Sequence, residues 1–176
     1  MCKKRLVTVI AVAALLGLPC VAFATCNAAV AATAPDARFT DNGNGTVSDS
    51  RTGLMWKQCS EGQTSATTPC TGGAALTFTW QQALQRADTV NGSGGFAGHS
   101  DWRLPNSNEL ASLVERQCTN PAINATRFPN TVASYYWSSS PDAYSSASAW
   151  YVYFYNGYVN DNYKTSSYYV RLVRGQ

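Results

Sequence analysis

The chain has 176 residues, with 13 Lys+Arg against 10 Asp+Glu and a pI near 8.5. Three of the basic residues (Lys3, Lys4 and Arg5) precede the apolar run Leu6–Val21 and the small-x-small step Ala22-Phe23-Ala24, which is the form of a secretory signal peptide over residues 1–24. Beyond it the charge is balanced, 10 against 10, so the basic pI belongs to the leader and gives no support for nucleic acid as a partner.

The apolar run is short and weakly flanked, so no membrane span is expected after cleavage. Neither Cys20 nor Cys26 sits in a good lipobox. The expected location is therefore exported (secreted, periplasmic or cell-surface), with a lipoprotein as the alternative. The ~150 residues that follow fit one domain with a real core.

Residues 25–37, rich in Ala, read as a linker, and the domain is expected over 38–176. Arg38-Phe39-Thr40, the Asn/Gly run 41–45 and Thr46-Val47-Ser48-Asp49 predict a hairpin, because Asn and Gly tolerate positive φ. A calcium loop here would place Gly43 and Gly45 at ligand positions, so a turn is the better reading. Thr52–Trp56 predicts another strand. Lys57–Leu76 reads as a loop closed by Cys59 and Cys70, leaving Cys26 and Cys118 as a possible second pair. Zinc is disfavoured, since no C-x2-C pair occurs and His99 is isolated.

Two helix starts carry capping boxes. Thr79 with Gln82 opens the first, with Ala83, Leu84 and Ala87 as its apolar stripe and an end near Asn91-Gly92. Asn106 with Glu109 opens the second, with Leu110, Leu113 and Val114 buried. Between them lies Ser100–Pro105, where Arg103 is expected to pair with Asp101 or Asp49.

The C-terminal third turns to β structure. All ten tyrosines fall between Tyr135 and Tyr169, and 24 of the 36 residues in 134–169 are Tyr, Ser, Asn or Asp. Tyr supplies large, stiff contact area with a polar tip, and Ser and Asn supply adaptable hydrogen bonds, a mixture suited to a binding surface. In Trp150–Tyr155 the period of two predicts Trp150, Val152 and Phe154 inside and Tyr151, Tyr153 and Tyr155 outside. Asn156-Gly157 predicts a turn. A final strand, Tyr169–Val173, would bury Val170 and Leu172. The candidate ligand-binding residues are Tyr144, Tyr151, Tyr153, Tyr155, Asn156, Tyr158, Asn160, Asp161, Asn162, Tyr163 and Ser166. Tyr135 and Tyr169 are expected to pack at sheet edges with wet hydroxyls. No catalytic residues are assigned, because a Ser-His-Asp or Cys-His arrangement could use only His99.

Arg38–Asp49, Thr52–Trp56, Asp101-Trp102-Arg103-Leu104-Pro105 with Glu109-Leu110, Tyr136-Trp137-Ser138-Ser139 and Val170–Gly175 together resemble the DUF1566, or Lcl C-terminal domain, family. The Trp-Arg-Leu-Pro segment also resembles formylglycine-generating-enzyme-type proteins, whose reactive cysteine pair near the C-terminal end has no counterpart after Cys118. Both resemblances imply an α+β, C-type-lectin-like fold: two helices on a small twisted antiparallel sheet, with a loop-rich binding face.

The tyrosine-rich tail is similar to the targets of diversity-generating retroelements, in which adenine mutagenesis moves Asn codons towards Tyr, Ser, Asp and Thr. The adhesin domain that names the family is associated with sulfated polysaccharides, which would give Arg171 and Arg174 a part against an acidic glycan. Calcium-dependent sugar binding is a subordinate alternative, since Val159–Asn162 echoes only the Trp-Asn-Asp-like strand of calcium lectins. The implied function is a non-catalytic, exported display or adhesion domain that binds a protein or glycan. The alternatives are a glycan-binding adhesin of fixed specificity and a structural envelope domain.

Overall fold

The Asn/Gly run 41–45 reverses the chain as its composition requires, and Asn42 N–H returns to the Thr46 carbonyl at 3.1 Å. The computed structural model describes residues 24–64 and 70–175. The expected signal peptide lies, but for Ala24, outside the described residues. Among these residues the chain forms β1 (Thr25–Cys26), β2 (Phe39–Asp41), β3 (Thr46–Asp49), β4 (Met55–Lys57), β5 (Thr77–Phe78), α1 (Trp80–Gly92) and α2 (Ser107–Ala111). Then follow β6 (Cys118–Thr119), β7 (Tyr135–Pro141), β8 (Ser148–Tyr153), β9 (Tyr158–Tyr163), β10 (Tyr168–Tyr169) and β11 (Val173–Arg174). The architecture is α+β, mostly sheet with two helices.

Both helix starts are as the sequence predicts. Thr79 and Gln82 exchange side chain–backbone bonds at the head of α1, as do Asn106 and Glu109 at the head of α2, satisfying N–H groups that the helix itself cannot. The first helix buries Ala83, Ala87 and Val90, spaced one turn apart. The second is shorter than its apolar spacing suggests. Leu113 and Val114 are buried, but in the turns after it, and Arg38 Nη1 donates to the Ser112 carbonyl at 2.7 Å.

Three sheets form: β1-β6, β5-β10-β7-β8-β9, and β11-β4-β3-β2. Among the described residues only the β10–β7 contact is parallel. The expected final strand is broken in two, β10 joining the five-stranded sheet and β11 the four-stranded one. Between them Val170, Arg171 and Leu172 are all buried.

The five-stranded sheet has a core on each face. One joins Phe39, Val47, Trp56, Leu110, Leu113, Phe128, Tyr136, Val152 and Phe154. The other joins Ala83, Ala87, Val90, Trp102, Leu104, Trp137, Tyr151, Val170 and Leu172. This second core is what the strand alternation alone does not reveal.

Residues 25–37, expected as a linker, are held against the domain. Cys26 is disulfide-bonded to Cys118 and β1 pairs with β6. The Glu115 carboxylate accepts N–H bonds from Thr33 at 3.0 Å and Ala34 at 2.8 Å. Burial pushes the Glu115 carboxyl up, but these donors and the Gln117 N–H hold it below its ordinary value. Cys59 and Cys70 form the other disulfide, as expected.

Candidate binding surface

The register fixes which tyrosines share a face. Directly paired residues of antiparallel strands project to the same side, and neighbours along a strand to opposite sides. Tyr135 pairs with Tyr153 and Trp137 with Tyr151 across β7 and β8. Tyr151 pairs with Asn160, Ala149 with Asn162 and Tyr153 with Tyr158 across β8 and β9. One face therefore carries Tyr135, Trp137, Tyr151, Tyr153, Tyr158, Asn160 and Asn162. The other carries Tyr136, Trp150, Val152, Val159, Asp161 and Tyr163.

On the first face the rings form a continuous ladder. Tyr135 stacks on Tyr153 with centroids 4.3 Å apart and planes 20° apart, and Tyr153 continues to Tyr155 at 5.6 Å and 22°. Tyr168 from β10 closes the inner end, 4.9 Å from Tyr135 and 4.4 Å from Trp137. Its hydroxyl accepts from Asn162 Nδ2 at 2.6 Å. The outer end is open: Tyr155 is 45% exposed and Tyr158 56%. Such offset ring contacts contribute about 0.5–1.5 kcal/mol each beyond the area they cover, so the ladder is stiff before any ligand arrives. Burial raises the Tyr153 hydroxyl pKa, and the neighbouring phenols of Tyr135 and Tyr155 add to it.

The expected site residues do not all belong to this surface. Tyr151 is on the expected face but only 8% exposed, because α1, Trp102 and the 170–172 segment pack there. It is a core residue, with its hydroxyl pKa raised by burial and by the phenols of Tyr168, Tyr135 and Tyr158. Trp150, expected inside, shares the face of Val152 but is half-buried, opposite Asp161 and outside either core.

Tyr163 is 65% exposed on the opposite face from the ladder. Tyr144 is fully exposed in the loop between β7 and β8. Asn156 lies in the β8–β9 turn, where its Oδ1 accepts from Tyr158 N–H at 3.1 Å. Ser166, half-buried, lies in the turn before β10, its N–H bonded to the Tyr163 carbonyl at 2.9 Å. Asn160 and Asn162 are half-buried beside the ladder.

Two members were absent from the expected set. Tyr135 is the hub of the ladder rather than an edge residue, and Tyr168 closes it. Tyr169 instead packs on Tyr136, 5.5 Å between centroids, against the first core.

The arginines are held in the fold. Arg103 pairs with Glu109 through two 2.7 Å bonds rather than with Asp101 or Asp49, because the α2 capping box already brings the Glu109 carboxylate beside it. Asp101 pairs with Arg174, and Asp49 with Arg38. Arg171 is completely buried and has no access to a glycan. It donates to the Lys57 carbonyl at 2.9 Å, to the Gln58 carbonyl and to Thr131 Oγ1 at 2.7 Å, and lies over the Phe128 ring. Burial pushes its guanidinium pKa down to about 10.

A cleft of about 490 Å³ adjoins Lys57, Glu61, Arg86 and Phe96. Its buried Glu61 carboxylate is taken by Lys57 at 2.5 Å and Arg86 at 2.7 Å, so the triad fastens the 57–64 segment to α1.

The family model for the Lcl C-terminal domain matches residues 45–174. The chain belongs to this family. The matched span of the Lcl C-terminal domain holds both helices and the whole ladder, while β1 and β2 lie before it. No curated protein matches the chain. Two disulfides fit an extracellular or secreted domain, and no helix among the described residues is long and apolar enough to cross a membrane.

Proposed function

We propose that this Lcl C-terminal domain is an exported, non-catalytic binding module of C-type-lectin-like fold, and that its ladder surface holds a protein or glycan. The observation that carries the reading is the Tyr135–Tyr153–Tyr155 stack with Tyr158 beside it: aromatic, already ordered and open at one end. Pre-ordered aromatic side chains lose little conformational freedom on binding, which is why they dominate interface energetics. Phenol and amide groups of this kind hold a ligand without activating it. The Tyr/Ser/Asn composition further supports diversification by a retroelement, with Tyr144, Tyr155, Asn156, Tyr158 and Tyr163 as the variable positions.

The test is to screen the chain lacking residues 1–24 against a glycan array and a linear-peptide display library, beside a Tyr153→Ala/Tyr155→Ala variant. Binding that the double variant loses while it stays folded supports the reading. Equal binding by both proteins, or none in either screen, overturns it. For diversification, the genomic expectation is a neighbouring reverse-transcriptase gene and a near-repeat of the 3′ coding end differing at adenines. Their absence favours fixed specificity.

A further inference from the structure

We propose that β9 is a docking edge to which an extended polypeptide adds as a sixth strand of the five-stranded sheet. This rests on the ladder being a binding surface and names the class of its partner.

Strand β9 is the outermost strand of its sheet. The Lys164 N–H reaches the Ala147 carbonyl and the Gly157 N–H the Tyr153 carbonyl, so the odd-numbered residues of β8 turn their main chain towards β9. The Phe154 N–H bonds to the Ser134 carbonyl on the other side, as alternation requires. In the observed register, Asn160 and Asn162 then spend their main-chain groups on β8. Val159, Asp161 and Tyr163 direct theirs outward. The Tyr163 N–H is capped by Asn162 Oδ1 at 2.7 Å, which ends the open stretch. What is left is a row of main-chain groups at Val159 and Asp161 that is unpaired among the described residues, and such a row is matched by the backbone of another strand.

The side chains fit the same occupant. An added strand would pass Tyr158, Asn160 and Asn162 on the ladder face, and Val159, Asp161 and Tyr163 on the other. Tyr158 and Tyr163, at opposite ends and on opposite faces, are both largely exposed and placed to flank it. A glycan that stacks on aromatic faces is served less well, because the Tyr135–Tyr153–Tyr155 stack covers its own inner ring faces and offers edges and hydroxyls.

Charge narrows the partner further. Asp161 is the one acidic residue of β9, and among the described residues its carboxylate has no ion pair. A Lys or Arg opposite it complements the edge. A second copy of this chain does not, since the two best-overlapping antiparallel registers put Asp161 opposite or diagonal to its own copy, and like charges so placed are destabilising.

The experiment selects short linear peptides from a display library on the chain lacking residues 1–24, with a glycan array in parallel. Selected peptides are expected to carry a basic residue within an alternating apolar sequence, and to slow amide exchange at Val159 and Asp161. Asp161→Pro removes an outward N–H at an edge position where proline is tolerated, so it should leave the fold intact and weaken the peptides about tenfold. Asp161→Asn keeps the N–H and should weaken them only a few-fold. If Asp161→Pro does not fold, N-methylation at every second peptide amide gives the reciprocal test: one phase abolishes binding and the other does not.

Peptides that bind Asp161→Pro as wild type, or are indifferent to the phase of methylation, overturn the edge. So does a screen in which only glycans bind. When the Tyr153→Ala/Tyr155→Ala variant still loses those ligands, the ladder reading survives the loss of the edge. When it keeps them, both fall.

Discussion

Tyr151 lies within β8 and Tyr155 in the turn that follows it, beyond the strand end at Tyr153 where alternation had predicted a longer strand, and the two should respond differently to truncation. Tyr151 is 8% exposed, packed in the second core, with edge-to-face contacts to Tyr135 at 5.1 Å and Tyr168 at 5.3 Å. Removing a buried aromatic ring costs about 3–5 kcal/mol, from lost transfer energy and the cavity left behind. Tyr155 is 45% exposed and keeps one ring contact, to Tyr153 at 5.6 Å, so its removal should cost about 1 kcal/mol.

For a domain of this size each kcal/mol lowers Tm by about 2–4 °C, so Tyr151→Ala should lose roughly 6–20 °C and Tyr155→Ala about 2–4 °C. Urea titration followed by tryptophan fluorescence, with both disulfides oxidised, reads the difference directly. Two variants within about 1 kcal/mol of each other would sink the two-core description of the sheet.

Arg171→Met should destabilise the domain by about 3–5 kcal/mol, since it strips donors from the buried Gln58 carbonyl and the part-buried Lys57 carbonyl, and the same denaturation assay measures it. Loss of the Cys26–Cys118 bridge, which closes a separation of 92 residues, should cost about 4–5 kcal/mol. Loss of Cys59–Cys70, closing 11, should cost about 2–3, as paired Cys→Ser variants would show. Burial raises the Asp49 carboxyl, but Arg38, Thr52 and the Arg51 N–H together hold it below 3.8. Its folded pKa is depressed, so its stabilisation is present above the unfolded value and is lost as pH falls through the folded one. Asp49→Asn should therefore flatten the acid limb of a stability–pH profile below about pH 4, by up to about 1.4 kcal/mol per pH unit.

What could be read from the sequence was local. The capping pairs Thr79/Gln82 and Asn106/Glu109, and the turns at 41–45 and 156–157, involve residues a few positions apart, so composition and spacing suffice. The alternation of β8 was legible too, but not what covers each face. Only the approach of α1 and residues 170–172 turns Tyr151 from surface into core. The glycan role expected of Arg171 failed for the same reason, since Arg171 meets Gln58 and Thr131 across long sequence separations, whereas the Arg103 partner, Glu109, lies only six residues on. Tyr135 was missed because its place depends on the β7–β8 register, which a bulge between Trp137 and Pro141 shifts. The Asn156-Gly157 signal places the turn but not its register: a two-residue loop would set Tyr155 opposite Tyr158, whereas the strands close with Tyr153 opposite Tyr158 across a four-residue turn.

Stability and the proposed recognition fall on different positions of the same sheet and its connecting turns. Both cores close around Tyr136, Trp137, Tyr151, Val152 and Phe154. Tyr144, Tyr155, Asn156, Tyr158 and Tyr163 all lie outside those cores and are largely exposed. Substitutions at such positions usually change stability by no more than about 0.5 kcal/mol, or about 1 where a ring contact is lost. The surface can therefore change its side chains without changing its fold. Gly157 marks where that freedom stops. Its φ is +78°, and a Cβ there would sit 2.4 Å from Val114 Cγ1, so the turn joining two permissive segments is itself closed to side chains. A variable surface on this scaffold must vary around a fixed glycine, and the edge of β9 is held in place by it.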